Sequence, residues 1–412
     1  MREMKDSGFG YLGNIPATWR TERVKNHLRF SPEKNPGRSI VLSLYREYGI
    51  VPKDSRDDNY NVTSEDTSNY RYVHVGDFVV NKMKAWQGSM GVSAYEGIVS
   101  PAYFVYRFTT DEFDVRYLHY LLRSKCYADE FRRLSGGIRI GQWDLPKSGF
   151  ETTYVAIPPK EEQAGIADFI ETKTSQVDTL ISNVQSQIEK LKAYKQSMIT
   201  EVVTKGIDPT VPMKDSGVKW IGVISKDFNI VRLKNIAEIL DQYRKPITAD
   251  QRSQDGDVLY DYYGASGVID KIDGYTIDDH VMLIGEDGAN LRMRNLPLMY
   301  ELNGKAWINN HAHILKPKAS VLFYYLFYVL EGLDINPYIT GSAQPKLNQE
   351  NLKTILIPLP SLKKQEKIVE FIMGKHQEIN RLIAIKQAKI EKLSEYKKSL
   401  IYEYVTGKKE VQ

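Results

Sequence analysis

Residues 189–205 read EKLKAYKQSMITEVVTK, and from Glu391 the chain reads EKLSEYKKSLIYEYVTG. Glu189, Lys190, Leu191, Tyr194, Lys195, Ser197, Ile199, Glu201, Val203 and Thr204 each find the same residue 202 positions later. A second repeat sits upstream. Residues 4–13, MKDSGFGYLG, match residues 213–222, MKDSGVKWIG, at an offset of 209. One long charged-apolar helix and one opening segment, each present twice and in the same order, mean that the chain is built from two copies of one unit. The two offsets differ by only seven, so small insertions separate fixed ends.

The repeated helices carry a heptad seam. Along the first, Val177, Ile181, Val184, Ile188, Leu191, Lys195, Met198 and Val202 follow in steps of three and four. Along the second, Ile379, Ile383, Lys386, Ile390, Leu393, Lys397, Leu400 and Tyr404 do the same. Such spacing predicts helices that pair along an apolar stripe, with the seam lysines fixing register at some cost in stability. Two such helices in one chain can pair antiparallel. The simpler alternative is that each packs on its own domain. From Val177 to Val202 the seam spans about 39 Å at 1.5 Å per residue. One turn of B-DNA, about 34–36 Å, separates two half-sites read from one face. A rod of that length between two similar domains suits a reader of a split target.

Each copy reads as an α+β unit of about 150 residues, enough for its own core. In copy one, VVNKMKAW, GVSAYEGIV and PAYFVYRF read as strands between glycine turns, followed by a helix over VRYLHYLL. Copy two repeats the order with DVLYDYYG, VMLIGED and HAHILKP, then SVLFYYLFYVL, whose aromatics read as core. Both copies close on a strand and a proline stop, VAIPPKEEQ and ILIPLPSLKKQ, where the long helices begin. The expected division is 1–156, 157–208, 209–358 and 359–412, with the second and fourth segments being the helical spacers. The fold class expected is α+β: two similar α/β domains separated by two long helices in an antiparallel coiled coil, an internal pseudo-twofold repeat.

Composition narrows the chemistry. Net charge is only +4, so any nucleic-acid surface must be a local patch. A single cysteine, Cys126, excludes a disulfide framework or a cysteine-rich zinc module and fits a reducing, cytoplasmic setting. No apolar run approaches the roughly 20 residues of a membrane span. There is no G-x-x-x-x-G-K-S/T loop and no N/D-P-P-Y/F motif, which argues against an ATPase or a self-sufficient methyltransferase.

Several motifs, taken in order and twice over, make the chain resemble the specificity subunit of type I restriction-modification systems. They are the KDSG opening with Trp220-Ile221-Gly222 (Tyr11 takes the Trp position in copy one), GDFVVNKM with Gln87-Gly88-Ser89-Met90-Gly91-Val92, and Val99-Ser100-Pro101-Ala102-Tyr103. Copy two adds Tyr262-Tyr263-Gly264-Ala265-Ser266-Gly267, Gly285-Glu286-Asp287-Gly288-Ala289 and Trp307-Ile308-Asn309-Asn310-His311-Ala312-His313. The proline stops carry Glu162-Gln163 and Lys364-Gln365; the family's usual Glu is a Lys in copy two. The resemblance implies two target recognition domains, each reading half of a bipartite double-stranded DNA target. It implies a coiled coil that sets the half-site spacing and docks two modification subunits. Those would bind S-adenosylmethionine and methylate adenine. Restriction subunits, when present, would cleave DNA using ATP and Mg. The chain itself would carry no catalytic residue, cofactor or metal.

Basic, amide and aromatic residues on glycine loops are the candidates for DNA contact, through phosphates or base edges. In copy one they are Lys82, Lys84, Trp86 and Gln87 before Gly88, and Arg132, Arg133 and Arg139 about Gly136-Gly137. In copy two they are Tyr263, Ser266, Arg292, Arg294, His311, Gln344 and Lys346. Two other readings stay open: a metal-dependent hydrolase built on Asp278-Asp279-His280 with His311 and His313, and a coiled-coil scaffold that binds only protein. Asp77, Asp257, Glu286 and Asp287 could be imagined as catalytic carboxylates, but their glycine neighbours favour turns and strand ends.

Overall fold

The structure is a computed structural model that describes residues 2–37, 39–45, 49–55, 63–137, 143–252, 256 and 258–411. Two compact units emerge. Unit 1 comprises Met1–Gln185 with Gln387–Gln412, and unit 2 is Ser186–Lys386. Each unit therefore takes one half of each long helix, Lys160–Lys205 and Leu362–Val405.

The copies repeat strand by strand and in register. In unit 1, Met4–Asp6 pairs antiparallel with Asn14–Pro16, and Arg20–Arg23 pairs with Tyr154–Ile157. In unit 2, Met213–Asp215 pairs with Val223–Ser225, and Asn229–Arg232 pairs with Leu356–Leu359. The central sheet of unit 1 runs Leu28–Phe30, Tyr103–Phe108, Phe78–Asn81, Met90–Val92. Its counterpart in unit 2 runs Ala237–Ile239, Ala312–Pro317, Ile277–Gly285, Met299–Ile308. Two further strands, Leu259–Gly264 and Gly267–Asp273, extend that second sheet beyond Met299–Ile308. In unit 1 the corresponding insertion forms separate ribbons, including Leu42–Tyr45 with Gly49–Pro52. The copies thus share a frame and differ in what is inserted into it.

Sequence chemistry explains the frame. Phe78–Asn81 is buried at every residue because helices cover one face of the sheet and ribbons the other. The helix Val115–Arg123 begins at Asp114, whose carboxylate accepts the Arg116 and Tyr117 amides, an N-cap that satisfies two otherwise orphaned donors. Its counterpart, Phe323–Gly332, buries Tyr325, Leu326, Tyr328, Val329 and Leu330, so those aromatics are core, as expected.

The proline stops have a partner that spacing alone does not reveal. Gln163 and Gln365 are both fully buried. Gln163 Nε2 donates to the carbonyls of Glu112 and Pro158, each at 3.0 Å, while its Oε1 accepts the Asp114 amide at 2.9 Å. Gln365 repeats this with the carbonyls of Ser320 and Pro360 and the Leu322 amide. Each amide side chain thus ties the first turn of a long helix to the start of a buried helix of the same unit, Val115–Arg123 or Phe323–Gly332.

The far end of each helix completes a core as well. In unit 1, Leu400 and Val405 join the cluster around Trp19, Phe78 and Tyr117, whose hydroxyl lies 3.0 Å from the Val405 carbonyl and 3.1 Å from that of Ala156. In unit 2, Met198, Ile199, Val202 and Val203 join the cluster around Phe228 and Tyr325. Gly332 is required here, because a Cβ would sit 2.8 Å from Ile199 Cγ2.

Between these ends the helices meet along the expected seam. In unit 1 they run antiparallel: the Phe169 ring lies 4.4 Å from that of Tyr404, tilted by 35°, and Lys397 Nζ donates to both carboxylate oxygens of Asp178 at 2.7 Å. In unit 2, Lys386 Nζ reaches Gln187 Oε1 at 2.6 Å and Lys195 Nζ reaches Asn380 Oδ1 at 3.3 Å, again antiparallel. Val177, Val184, Ile188, Met198, Val202, Ile379 and Leu400 are buried, while Ile181, Leu191, Ile383, Ile390, Leu393 and Tyr404 are half-buried. Each of these three seam lysines carries its ammonium to a polar group on the facing helix, so its alkyl stem fills the stripe while its charge is satisfied. The helices are longer than the seam: 46 and 44 residues, or about 69 and 66 Å. The extra N-terminal turns place Ile166, Ala167 and Ile170, and Ile368 and Ile372, into the unit cores. Their 3.6-residue spacing, not a heptad, hid them from the seam reading.

Gln163→Ala is expected to lower the stability of unit 1 by about 1–3 kcal/mol, because it strands one buried amide and two carbonyls. Denaturant unfolding followed by Trp fluorescence would show an earlier transition; an unchanged curve would contradict the clamp.

Candidate nucleic-acid interface

In unit 1 the surface of interest begins where the buried strand Phe78–Asn81 ends. Lys82 donates its amide to the Ala102 carbonyl, and its own carbonyl accepts the Leu145 amide at 2.9 Å. Its ammonium meets Asp144 Oδ2 at 2.7 Å. The chain then makes one turn of 3-10 helix, Ala85–Gln87, closed by Gly88 at φ +76. Glycine is needed there both for that φ and because a Cβ would press on the Arg123 carbonyl at 3.3 Å. Lys84 is exposed on this turn, and Trp86 and Gln87 are half-buried. Trp86 Nε1 donates to the Met83 carbonyl, and its ring lies 5.7 Å from Trp143. The Arg132 guanidinium covers the Trp143 ring at 5.6 Å. Lys84, Trp86, Gln87, Trp143 and Arg132 therefore form one aromatic-basic surface.

Other candidates in this unit stand differently. Lys82 is spent on its ion pair. Arg133 is held by Glu130 on its own helix at 2.7 Å, although its side chain remains exposed. Arg139 lies outside the described residues. Trp143 joins this surface without a motif of its own in the sequence; it lies four residues after Arg139.

In unit 2 four loops converge at the corresponding sheet end. Glu286 donates its amide to the His311 carbonyl at 2.8 Å and accepts the Leu347 amide at 2.7 Å. The Gly288 amide donates to the Pro345 carbonyl. The Ala265-Ser266 turn packs over Gly285, where a Cβ would lie 2.6 Å from the Ala265 carbonyl. Ser266, Arg292, His311, Gln344 and Lys346 are all exposed on these joined loops. Arg292 Nη2 donates to the Gly341 carbonyl at 3.1 Å, fixing the 339–346 loop. His311 Nδ1 lies 2.8 Å from Asp287 Oδ2.

Two candidates do not belong there. Tyr263 is only 9% exposed and packs in the inner sheet core with Val281 and Ile308, so its ring has almost no surface to offer. Arg294 caps a helix: its guanidinium donates to the carbonyls of Glu331 at 2.7 Å and Leu333 at 2.6 Å, at the end of Phe323–Gly332. Burial pushes its pKa down, against the pull of Glu331. Among the described residues Arg294 is the one non-glycine at positive φ, 52°. That strain is held in place by two charge-assisted bonds to exposed helix-end carbonyls.

The histidine readings resolve by geometry. His313 is fully buried, with Nδ1 2.7 Å from Asp241 Oδ2 and Nε2 2.7 Å from the Leu347 carbonyl. His280 faces Glu301 and stacks on Phe323 at 4.0 Å. Asp279 pairs with Lys316. The cluster imagined for a hydrolase is thus divided among separate partners. Among the described residues, the one group with metal-ligand geometry is Glu22, His27 and Glu112, and both carboxylates already face Arg20. Asp77 sits at a turn, accepting the His74 amide, and Glu286 and Asp287 follow a strand end, as their glycine neighbours suggested. Asp257 lies outside the described residues.

Each copy of the doubled frame thus carries basic and polar loops at the same end of its central sheet. The family model for the type I restriction modification DNA specificity domain matches residues 225–395. The MjaVIII specificity subunit of Methanocaldococcus jannaschii is 24% identical over 96% of this chain and 93% of its own length. A putative type I specificity subunit of Haemophilus influenzae is 32% identical, over 34% of this chain and 35% of its own length. Among solved structures, a chain from work on complex assembly and conformational transition of the type I R-M system superposes with a TM-score of 0.67. It is 14% identical and covers 95% of this chain and 98% of that one. The HsdS subunit from Thermoanaerobacter tengcongensis gives 0.50 at 16% identity with the same coverage. Over nearly its whole length the chain is thus similar to the specificity subunits of type I restriction-modification systems.

The buried network beneath the unit 2 loops makes the fold sensitive to acid. Burial alone would push the Asp241 carboxyl up, but donation from His313, the Ile314 amide and Gln349 outweighs it and holds the group below its ordinary range. A carboxyl depressed in the folded state adds stability above its unfolded value, about 4, and that stability is lost as pH falls through the folded value. Asp241→Asn is expected to weaken unit 2 at pH 7 and to flatten its stability profile below about pH 4. Parallel profiles for the two proteins would contradict the assignment.

Proposed function

We propose that this chain is the DNA sequence-recognition subunit of a type I restriction-modification complex, each unit reading one half of a bipartite target. The observation that carries this reading is the repeated frame with unlike insertions: equivalent sheet ends present one aromatic-basic loop set and one polar-basic loop set. Equal frames give equal placement against DNA, and different loops give different half-sites. Lys84, Trp86, Gln87, Arg132 and Trp143 serve the first half-site, and Ser266, Arg292, His311 and Gln344 the second. Phosphate neutralisation by the lysines and arginines supplies affinity, and the remaining polar groups sample base edges.

The long helices set the distance between half-sites and dock two modification subunits. Tyr194 and Tyr396 occupy the same repeated position and are 56% and 54% exposed, a pair of equivalent apolar handles for two equivalent partners. S-adenosylmethionine belongs to those partners, and ATP with Mg to restriction subunits where present; this chain positions the target and does no chemistry. Among the described residues no helix is long and apolar enough to cross a membrane, and a cytoplasmic complex on chromosomal DNA fits this role.

Removing one heptad from each long helix, at facing positions, takes about 10 Å out of the rod. Methylation sequencing of the reconstituted complex is expected to show both half-sites unchanged and their spacing shortened by about three base pairs. Unchanged spacing would defeat the ruler role. No sequence-selective methylation by the wild-type complex would defeat the recognition role itself.

A further inference from the structure

The repeated frame carries one ion pair whose polarity is reversed between the copies. Strand register makes Lys82 the counterpart of Glu286. Tyr103 pairs with Asn81 just before Lys82, and Ala312 pairs with Gly285 just before Glu286. The backbone bonds agree. Lys82 donates to the carbonyl of Ala102 and accepts from Leu145; Glu286 donates to that of His311 and accepts from Leu347. Asp144 and Lys346 precede those two buried leucines and make the same two-way bridges, with Gly136 and Thr340 respectively. Across this matched frame, Lys82 Nζ meets Asp144 Oδ2 at 2.7 Å, and Lys346 Nζ meets Glu286 Oε1 at 3.1 Å. The positions are equivalent and the charges are exchanged.

We propose that these pairs are equivalent latches that position the reading loops of each unit, and that their polarity is free to invert. The inference rests on the recognition function proposed above. Each latch joins the segment leaving the central strand to the segment entering the last short helix. The first segment runs on to Lys84, Trp86 and Gln87 in unit 1, and to Asp287, Gly288 and Arg292 in unit 2. The second segment holds Trp143, or Gln344. Neither latch cation is spare for DNA, so Lys82 and Lys346 are positioning residues rather than base readers. In unit 2, Arg244 also contacts Glu286, and His313 Nε2 lies 3.8 Å from it, so the acidic member there is held by more than one group. In unit 1 no further ion pair to either member appears among the described residues, so Lys82–Asp144 is the cleaner test.

The test uses the full chain assembled with its modification subunits, and methylation sequencing as the readout. Wild-type complex that methylates a bipartite target establishes the recognition reading independently of the latch; failure at that point falls on the reading and not on the variants. K82E and D144K each place like charges across the latch and are expected to relax or lose base preference at the first half-site, by roughly ten- to a hundredfold. The second half-site and the spacing are expected to stay as in wild type. The double variant K82E/D144K recreates the polarity of unit 2 and is expected to restore the first half-site to within about threefold of wild type. Single variants that leave the first half-site unaltered would overturn the proposal, as would a change of both half-sites together. Should the single variants fail to fold, the double variant decides: folding with a restored half-site supports an invertible latch, and any other result contradicts it.

Discussion

Each unit's core is closed by the C-terminal end of a long helix, which comes from far along the sequence in unit 1 and from just before the first strand in unit 2. Unit 1 needs Leu400 and Val405, and unit 2 needs Met198, Ile199, Val202 and Val203. Neither set is a surface contact that could be shed cheaply. The residues are buried among large aromatics, where truncating one costs about 2–5 kcal/mol. The long helices are therefore bound to carry apolar residues at both ends and a narrower seam in between. Their direction is fixed by where each begins and ends. The buried glutamines at the first turns, Gln163 and Gln365, repeat the same demand at the other end.

That demand leaves the surface loops comparatively free. The central strands are buried and in matching register in both copies, so loops at their ends vary without disturbing the frame. Unit 1 spends its insertion on ribbons, and unit 2 on two extra strands of the central sheet. A protein that must read unrelated half-sites with one architecture gains from this division. Rigidity sits in the repeated frame, and chemistry sits on the parts that differ.

Much of this was legible in the sequence, and what was missed has identifiable causes. Exact residue repetition gave the two copies, because the helix ends and the KDSG openings do the same packing twice. The seam was readable because heptads survive in the primary pattern. The helix extensions over Ile166–Ile170 were not, because their apolar residues serve a domain core. Among site candidates, Lys84, Trp86, Gln87 and Arg132 come together, as do Ser266, Arg292, His311, Gln344 and Lys346. Tyr263 and Arg294 do not. A tyrosine on an alternating strand gives no sign of which face is inward, and an arginine near glycine gives no sign that a helix end will claim it. Trp143 had a signal in its basic glycine-rich surroundings. The exchanged ion pair had none, since lysine opposite glutamate in a comparison of copies reads as simple divergence.

The central claim is that each unit reads one half of the target on its own. It is tested most directly by replacing residues of about 25–155 with those of a relative of different specificity and mapping methylated sites genome-wide. If the claim holds, the first half-site changes, while the second half-site and the spacing stay as they were. A chimera that folds, assembles and alters both halves together would contradict it.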